Sequence, residues 1–181
     1  MAEQCGWTIS EWLHAYRHQG LTPGQALQEL RAQLSSDDPA FIHVVSQDQL
    51  HTQLDQLASV PDASTLPLYG IPCVVKDNIN VAGLPTTAAC PAFSYIAEQD
   101  AQCVAQLRAA GAIVLAKTNL DQFATGLVGT RSPYGAVPNS FNPEYISGGS
   151  SSASSVAVAR GLVPFSLGID TAGSGRVPAG F

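Results

Sequence analysis

Two lysines stand in a chain of 181 residues, Lys76 and Lys117, and each ends a continuous apolar run, Ile71-Pro72-Cys73-Val74-Val75 and Ala112-Ile113-Val114-Leu115-Ala116. Runs of this kind, without alternation, read as strands buried on both faces. The carboxyl ends of such strands are where open α/β sheets gather their sites. An ammonium there is desolvated, and burial disfavours the charged form. The pKa falls, and a neutral amine able to act as a base near pH 7 can result. Location alone equally allows a lysine that snorkels to solvent.

Serines crowd into two segments, Ser147-Gly148-Gly149-Ser150-Ser151-Ser152-Ala153-Ser154-Ser155 and Asp170-Thr171-Ala172-Gly173-Ser174-Gly175-Arg176. Each sits at a strand–helix junction, where a helix N-terminus offers unpaired N–H groups and glycines let the backbone close around an oxyanion or phosphate. In isolation either segment also fits a linker or a structural turn. The named glycine motifs fail letter by letter. Gly173-Ser174-Gly175 lacks the third glycine of the dinucleotide fingerprint, with Pro178 in its place, and no Gly-Lys-Ser/Thr occurs. The hydrolase elbow needs glycine where Ala172 and Arg176 stand. All four histidines, His14, His18, His43 and His51, precede the serines by a long stretch, so a Ser-His-Asp triad is improbable and no metal-ligand spacing emerges. A nucleophilic serine in this chain therefore needs Lys76 or Lys117 as its base.

The elements that must position these groups follow from periodicity. Thr8 with Glu11 is a capping-box pattern ahead of an Ile9, Trp12, Leu13, Tyr16 stripe that stops at Gly20. Thr22-Pro23 opens a second helix with Ala26, Leu27, Leu30 and Leu34, and a third, about 47–59, carries Leu50, Leu54 and Leu57. Residues 1–60 are thus an N-terminal helical segment, and residues 61–181 a second unit. In the second unit the two lysine-ended strands flank a helix at about 100–110 capped by Asp100, and a small-residue helix at 151–160 precedes an apolar strand at 163–169. Strand, helix, strand implies parallel crossovers. The fold class is α/β, a mixed, largely parallel sheet flanked by helices.

Composition narrows the partners. Charged residues are 12% of the chain against a usual quarter or so, and the net charge is -6 without a basic cluster, which argues against nucleic acid and membrane surfaces. Cys5, Cys73, Cys90 and Cys103 form no C-x-x-C pair, and three of them adjoin apolar stretches. Buried thiols in a reducing compartment are the simpler reading. With no signal-like N-terminus and no apolar run long enough to span a bilayer, a cytoplasmic location is expected.

The Gly-Gly-Ser-Ser stretch, the Asp170–Arg176 segment and an upstream lysine ending a buried strand together resemble the amidase signature family. Longer segments, Gly83–Phe93, Thr118–Gly135 and Asp170–Phe181, look like its allophanate-hydrolysing branch, and the resemblance is strong over about 66–181. It implies a truncated amidase domain over 61–181 and a Ser-Ser-Lys triad: Ser174 as nucleophile, Ser150 as a bridging serine in a cis peptide, Lys76 as base, with Lys117 structural. It further implies an oxyanion hole from the N–H groups of Thr171, Ala172, Gly173 and Ser174. No metal or other cofactor is implied. Asp170 and Arg176 read as an ion pair bracing the nucleophile turn, and Arg131 and Tyr134 as packing residues rather than substrate contacts.

On this resemblance the activity is hydrolysis of allophanate to ammonia and carbon dioxide in urea degradation. The expected partners are the small amide substrate and a urea carboxylase, as a separate enzyme or a fused domain, with a homodimer as the full-length form. The alternatives are another amidase or amidotransferase subunit of the same family, or an inactive fragment. Three departures stand out: Ala153 where the family usually has glycine, Ile169 where threonine usually precedes the aspartate, and the end of the chain at Phe181. A parallel sheet ending after its third strand leaves an edge and an apolar face uncovered.

Overall fold

The computed structural model describes residues 4–181. Two amphipathic helices open it, α1 (Ile9–His18) and α2 (Pro23–Ala32). Both start in a complete capping box, Thr8 with Glu11 and Thr22 with Gln25, which satisfies orphan amides at each first turn. They bury Trp12, Ala15, Ala26, Leu27 and Leu30, the stripe that the three-four spacing requires.

Phe41–Val44 then form a strand, β1, inside the stretch read as wholly helical. Four residues carry too short a pattern for periodicity to separate strand from helix. Next come α3 (Gln47–Ala58), β2 (Pro72–Lys76), a small hairpin of β3 (Pro85–Thr86) and β4 (Tyr95–Ile96), and α4 (Gln102–Ala109). They are followed by β5 (Ile113–Thr118), α5 (Ser152–Ala159), β6 (Phe165–Leu167) and α6 (Arg176–Gly180). Asp100 does not cap α4, as its position suggested. Ala101 holds that place without a side-chain cap, while Asp100 accepts from the Ala82 amide and pairs with Arg108 at 3.1 Å.

The main sheet has the order β1-β5-β2-β6. β2 runs parallel to both β5 and β6, and β1 is antiparallel to β5, so the sheet is mixed and largely parallel. Every residue of β2 and β5 is buried, including both lysines. One apolar cluster joins Trp12, Leu27 and Leu50 from the first sixty residues to Val74, Val75, Val114, Leu115 and Val156. The helical segment and the sheet therefore share a core.

β6 pairs with β2 alone and forms an edge, and Phe141 (79% exposed), Tyr145 and Phe181 stand open among the large apolar residues. Of the four thiols, all free, only Cys73 is fully buried, whereas Cys5 and Cys103 are exposed. Short α4 presents Cys103 outward because Val104 and Leu107 take its inner face. Among the described residues no helix is long and apolar enough to cross a membrane.

Candidate active site

β2 delivers Lys76 fully buried, with its Nζ 2.7 Å from Ser150 Oγ and 2.9 Å from Ser151 Oγ. Among the described residues no carboxylate lies within ion-pair distance of it, and burial pulls its pKa down to about 8 against a partial upward pull from Asp121 and Asp170. Near neutrality a useful fraction is the free amine, whose lone pair can accept the Ser150 hydroxyl proton.

Ser150 and Ser151 are brought to Lys76 by the turn that leads into α5, where the Gly149–Ser150 peptide is cis. Ser151 sits at the position that usually caps the helix, yet caps nothing. Its hydroxyl accepts from Lys76 and from the Ile169 amide at 3.2 Å and donates to the Ile169 carbonyl at 3.1 Å. A helix cap contributes about 1 kcal/mol; here that hydroxyl ties lysine, serine turn and nucleophile loop together. The sequence reading missed Ser151. Its signal was present, since a hydroxyl beside the bridging serine at a helix start is within reach of the same base. Ala153, in place of a usual glycine, lies inside α5 in ordinary helical conformation and fully buried. Ile169 engages Ser151 through its backbone, which any residue supplies.

The segment expected to carry the nucleophile follows β6. Ser174 is 5% exposed, and its carbonyl accepts from the Ser151 amide at 3.0 Å. Among the described residues its hydroxyl has no hydrogen-bond partner, so Lys76 and Ser150 are joined side chain to side chain while Ser174 reaches the serine turn through the backbone, at the Ser151 amide. Asp170 braces the turn: Oδ1 accepts from the Gly173 amide at 2.8 Å, and Oδ2 from the Gly175 and Arg176 amides at 3.2 and 2.9 Å. The Arg176 guanidinium closes a bidentate pair at 2.9 and 3.0 Å. That guanidinium and the amides hold the Asp170 carboxyl well below the usual carboxylate range. Gly173 has a φ of +111°, which a side chain would strain.

The expected oxyanion hole changes accordingly. The Gly173 amide is already given to Asp170, whereas those of Thr171, Ala172 and Ser174 have no acceptor among the described residues. Thr171 and Ala172 are exposed. Three donors rather than four are available to a developing oxyanion.

Lys117 stands elsewhere, also fully buried, 3.3 Å from Asp77 Oδ1 and 2.8 Å from the Pro85 carbonyl. Asp77 Oδ2 accepts from the Thr87 amide at 2.8 Å and from its hydroxyl. Arg131 is exposed, its side chain bonding the Thr125 carbonyl, and Tyr134 is half-buried.

Residues 26–181 match the sequence profile of the amidase family. The chain belongs to the amidase family. It is 53% identical over 179 residues to urea amidolyase of Saccharomyces cerevisiae, covering 96% of this chain and 10% of that protein. The allophanate hydrolase structure from Kluyveromyces lactis superposes with a TM-score of 0.93 at 52% identity, over 98% of this chain and 29% of the other. A glutamyl-tRNA(Gln) amidotransferase subunit from Akkermansia muciniphila is 40% identical over 176 residues, covering 96% of this chain and 36% of that protein. The chain thus spans from a tenth to little more than a third of the length of these family members.

Proposed function

We propose that this amidase chain carries the catalytic machinery of an allophanate hydrolase, with Ser174 as nucleophile, Ser150 as relay and Lys76 as base. The observation that carries the reading is the buried, carboxylate-free Lys76 within 2.7 Å of the Ser150 hydroxyl. The free amine takes the Ser150 proton as Ser150 takes that of Ser174. The Ser174 oxygen bonds to the amide carbon, and the negative charge gathers on the carbonyl oxygen facing the Thr171, Ala172 and Ser174 amides. One such donor typically contributes about 3–4 kcal/mol to the transition state. The proton returns through Ser150 to the nitrogen, the C–N bond breaks and ammonia leaves. Water then cleaves the acyl-enzyme by the same relay.

Allophanate is favoured as substrate over the glutaminyl amide of the amidotransferases because identity is 53% to urea amidolyase and 40% to the amidotransferase subunit. By the same likeness a urea carboxylase, fused or separate, would supply the substrate. A homodimer and a cytoplasmic location complete the proposal, the latter in keeping with four free cysteines. The test supplies allophanate to the protein that carries this chain and follows ammonia. Release that disappears in Ser174→Ala and Lys76→Ala supports the reading; undiminished release in either variant refutes the assignment, and turnover of glutamine but not allophanate refutes the substrate.

A further inference from the structure

Asp121 lies three residues beyond the end of β5 and is fully buried, yet it belongs to none of the ion pairs among the described residues. Its backbone amide donates to the Ser150 carbonyl at 3.2 Å. Its carboxylate accepts from two amides of the following loop, Gly129 to Oδ2 at 3.1 Å and Arg131 to Oδ1 at 2.9 Å. Oδ2 also lies against Gly149, where a methyl group would run into both that oxygen and the Gly129 amide. One residue therefore grips, on one side, the peptide that carries the bridging serine and, on the other, the loop whose Leu127 carbonyl accepts from Gly149 at 2.9 Å.

The charge matters as much as the grip. A buried carboxylate satisfied by amides alone keeps its negative charge available to its surroundings. Lys76 meets the hydroxyl of Ser150, the residue whose carbonyl accepts from the Asp121 amide. The other charged groups around Lys76 are spoken for: Asp170 is tied to Arg176, and Asp77 on the same strand and Lys117 on β5 are tied to each other. Cys73, also on β2, is held protonated by burial, its pKa pushed up to about 12. Resting on the reading of Lys76 as the base, we propose that Asp121 is a positioning residue that fixes the Gly149–Ser150 peptide and brings its carboxylate against the turn that carries the Ser150 hydroxyl, the partner of Lys76.

Asp121 and Asp170 both raise the Lys76 pKa against burial, so removing the Asp121 charge makes the amine easier to deprotonate. In Asp121→Asn the acid limb of the rate profile moves to lower pH. The plateau rate falls about tenfold because asparagine can accept only one of the two amides. In Asp121→Glu the charge survives but the carboxylate is displaced, so the plateau falls while the limb stays near its original pH.

The readout is the pH dependence of labelling by a fluorophosphonate, a serine-directed probe independent of substrate, on the protein that carries this chain. Ser174→Ala serves as the control. Loss of labelling in that control upholds Ser174 as the nucleophile; undiminished labelling there sinks the proposed catalytic reading and this inference with it. With the control unlabelled, an Asn limb and plateau equal to wild type overturn the Asp121 role alone, as does an equal limb shift in Asn and Glu. Should the Asn variant not fold, the Glu plateau decides: a fall supports the positioning role and a wild-type rate overturns it.

Discussion

The two lysines are a matched pair with opposite surroundings. Both end buried strands, both are wholly inaccessible, and burial lowers the pKa of both. Lys117 is met by the Asp77 carboxylate and the Pro85 carbonyl, whereas Lys76 is met by two hydroxyls. A carboxylate fixes an ammonium in its charged form, while hydroxyls tolerate either form and can pass a proton on. What separates the two lysines is therefore their partners and not their depth.

The comparison breaks most sharply in the rate. Lys76→Ala lowers ammonia release by about a thousandfold or more, the range of a lost general base. Lys117→Ala acts instead on folding. It strands Asp77 as a buried, unpaired charge and costs about 3–5 kcal/mol in denaturant unfolding. Lys76→Met removes an unpaired buried ammonium and leaves stability equal to or above wild type; a loss as large as that of Lys117→Ala would erase the distinction.

Titration sharpens it further. Below about 8 the rate climbs about tenfold per pH unit as Lys76 gives up its proton, then levels. Because the folded value lies near 8 and the ordinary one at 10.5, the folded protein binds fewer protons between them. Its unfolding free energy rises with pH across that window, and the penalty is full below it. Lys76→Met should lose the share of this rise that Lys76 contributes while Lys117→Ala keeps that share, as measured by denaturation midpoints at several pH values. The smallest effect is expected from Ser151→Ala, which removes one of the two hydroxyls on Lys76 and slows labelling of Ser174 about tenfold, in line with one lost buried hydrogen bond to a charged group.

Much of this was legible because the chain is frugal with the relevant residues. Two lysines at two strand ends, and no histidine near the serines, left few candidates for a base. The capping boxes and apolar runs likewise carry local signals strong enough to survive tertiary packing. What escaped depends on long-range contacts. β1 is four residues long and exists as a strand because β5 offers it an edge. Asp121, Ser151 and the engaged Gly173 amide draw their roles from groups distant in sequence or from one side chain choosing among several donors. Asp100 shows the converse, a sound local capping signal overruled by the Ala82 amide and Arg108.

β6 is three residues long, only half-buried and hydrogen-bonded along one margin, while β2 is flanked on both sides. The segment bearing Ser174 hangs from the former and Lys76 from the latter. Within the described residues, amide hydrogen exchange should be faster at 165–167, where β6 has one neighbouring strand, than at 72–76, where β2 has two. Lys76 is held between two neighbouring strands, and Ser174 follows a strand that has one.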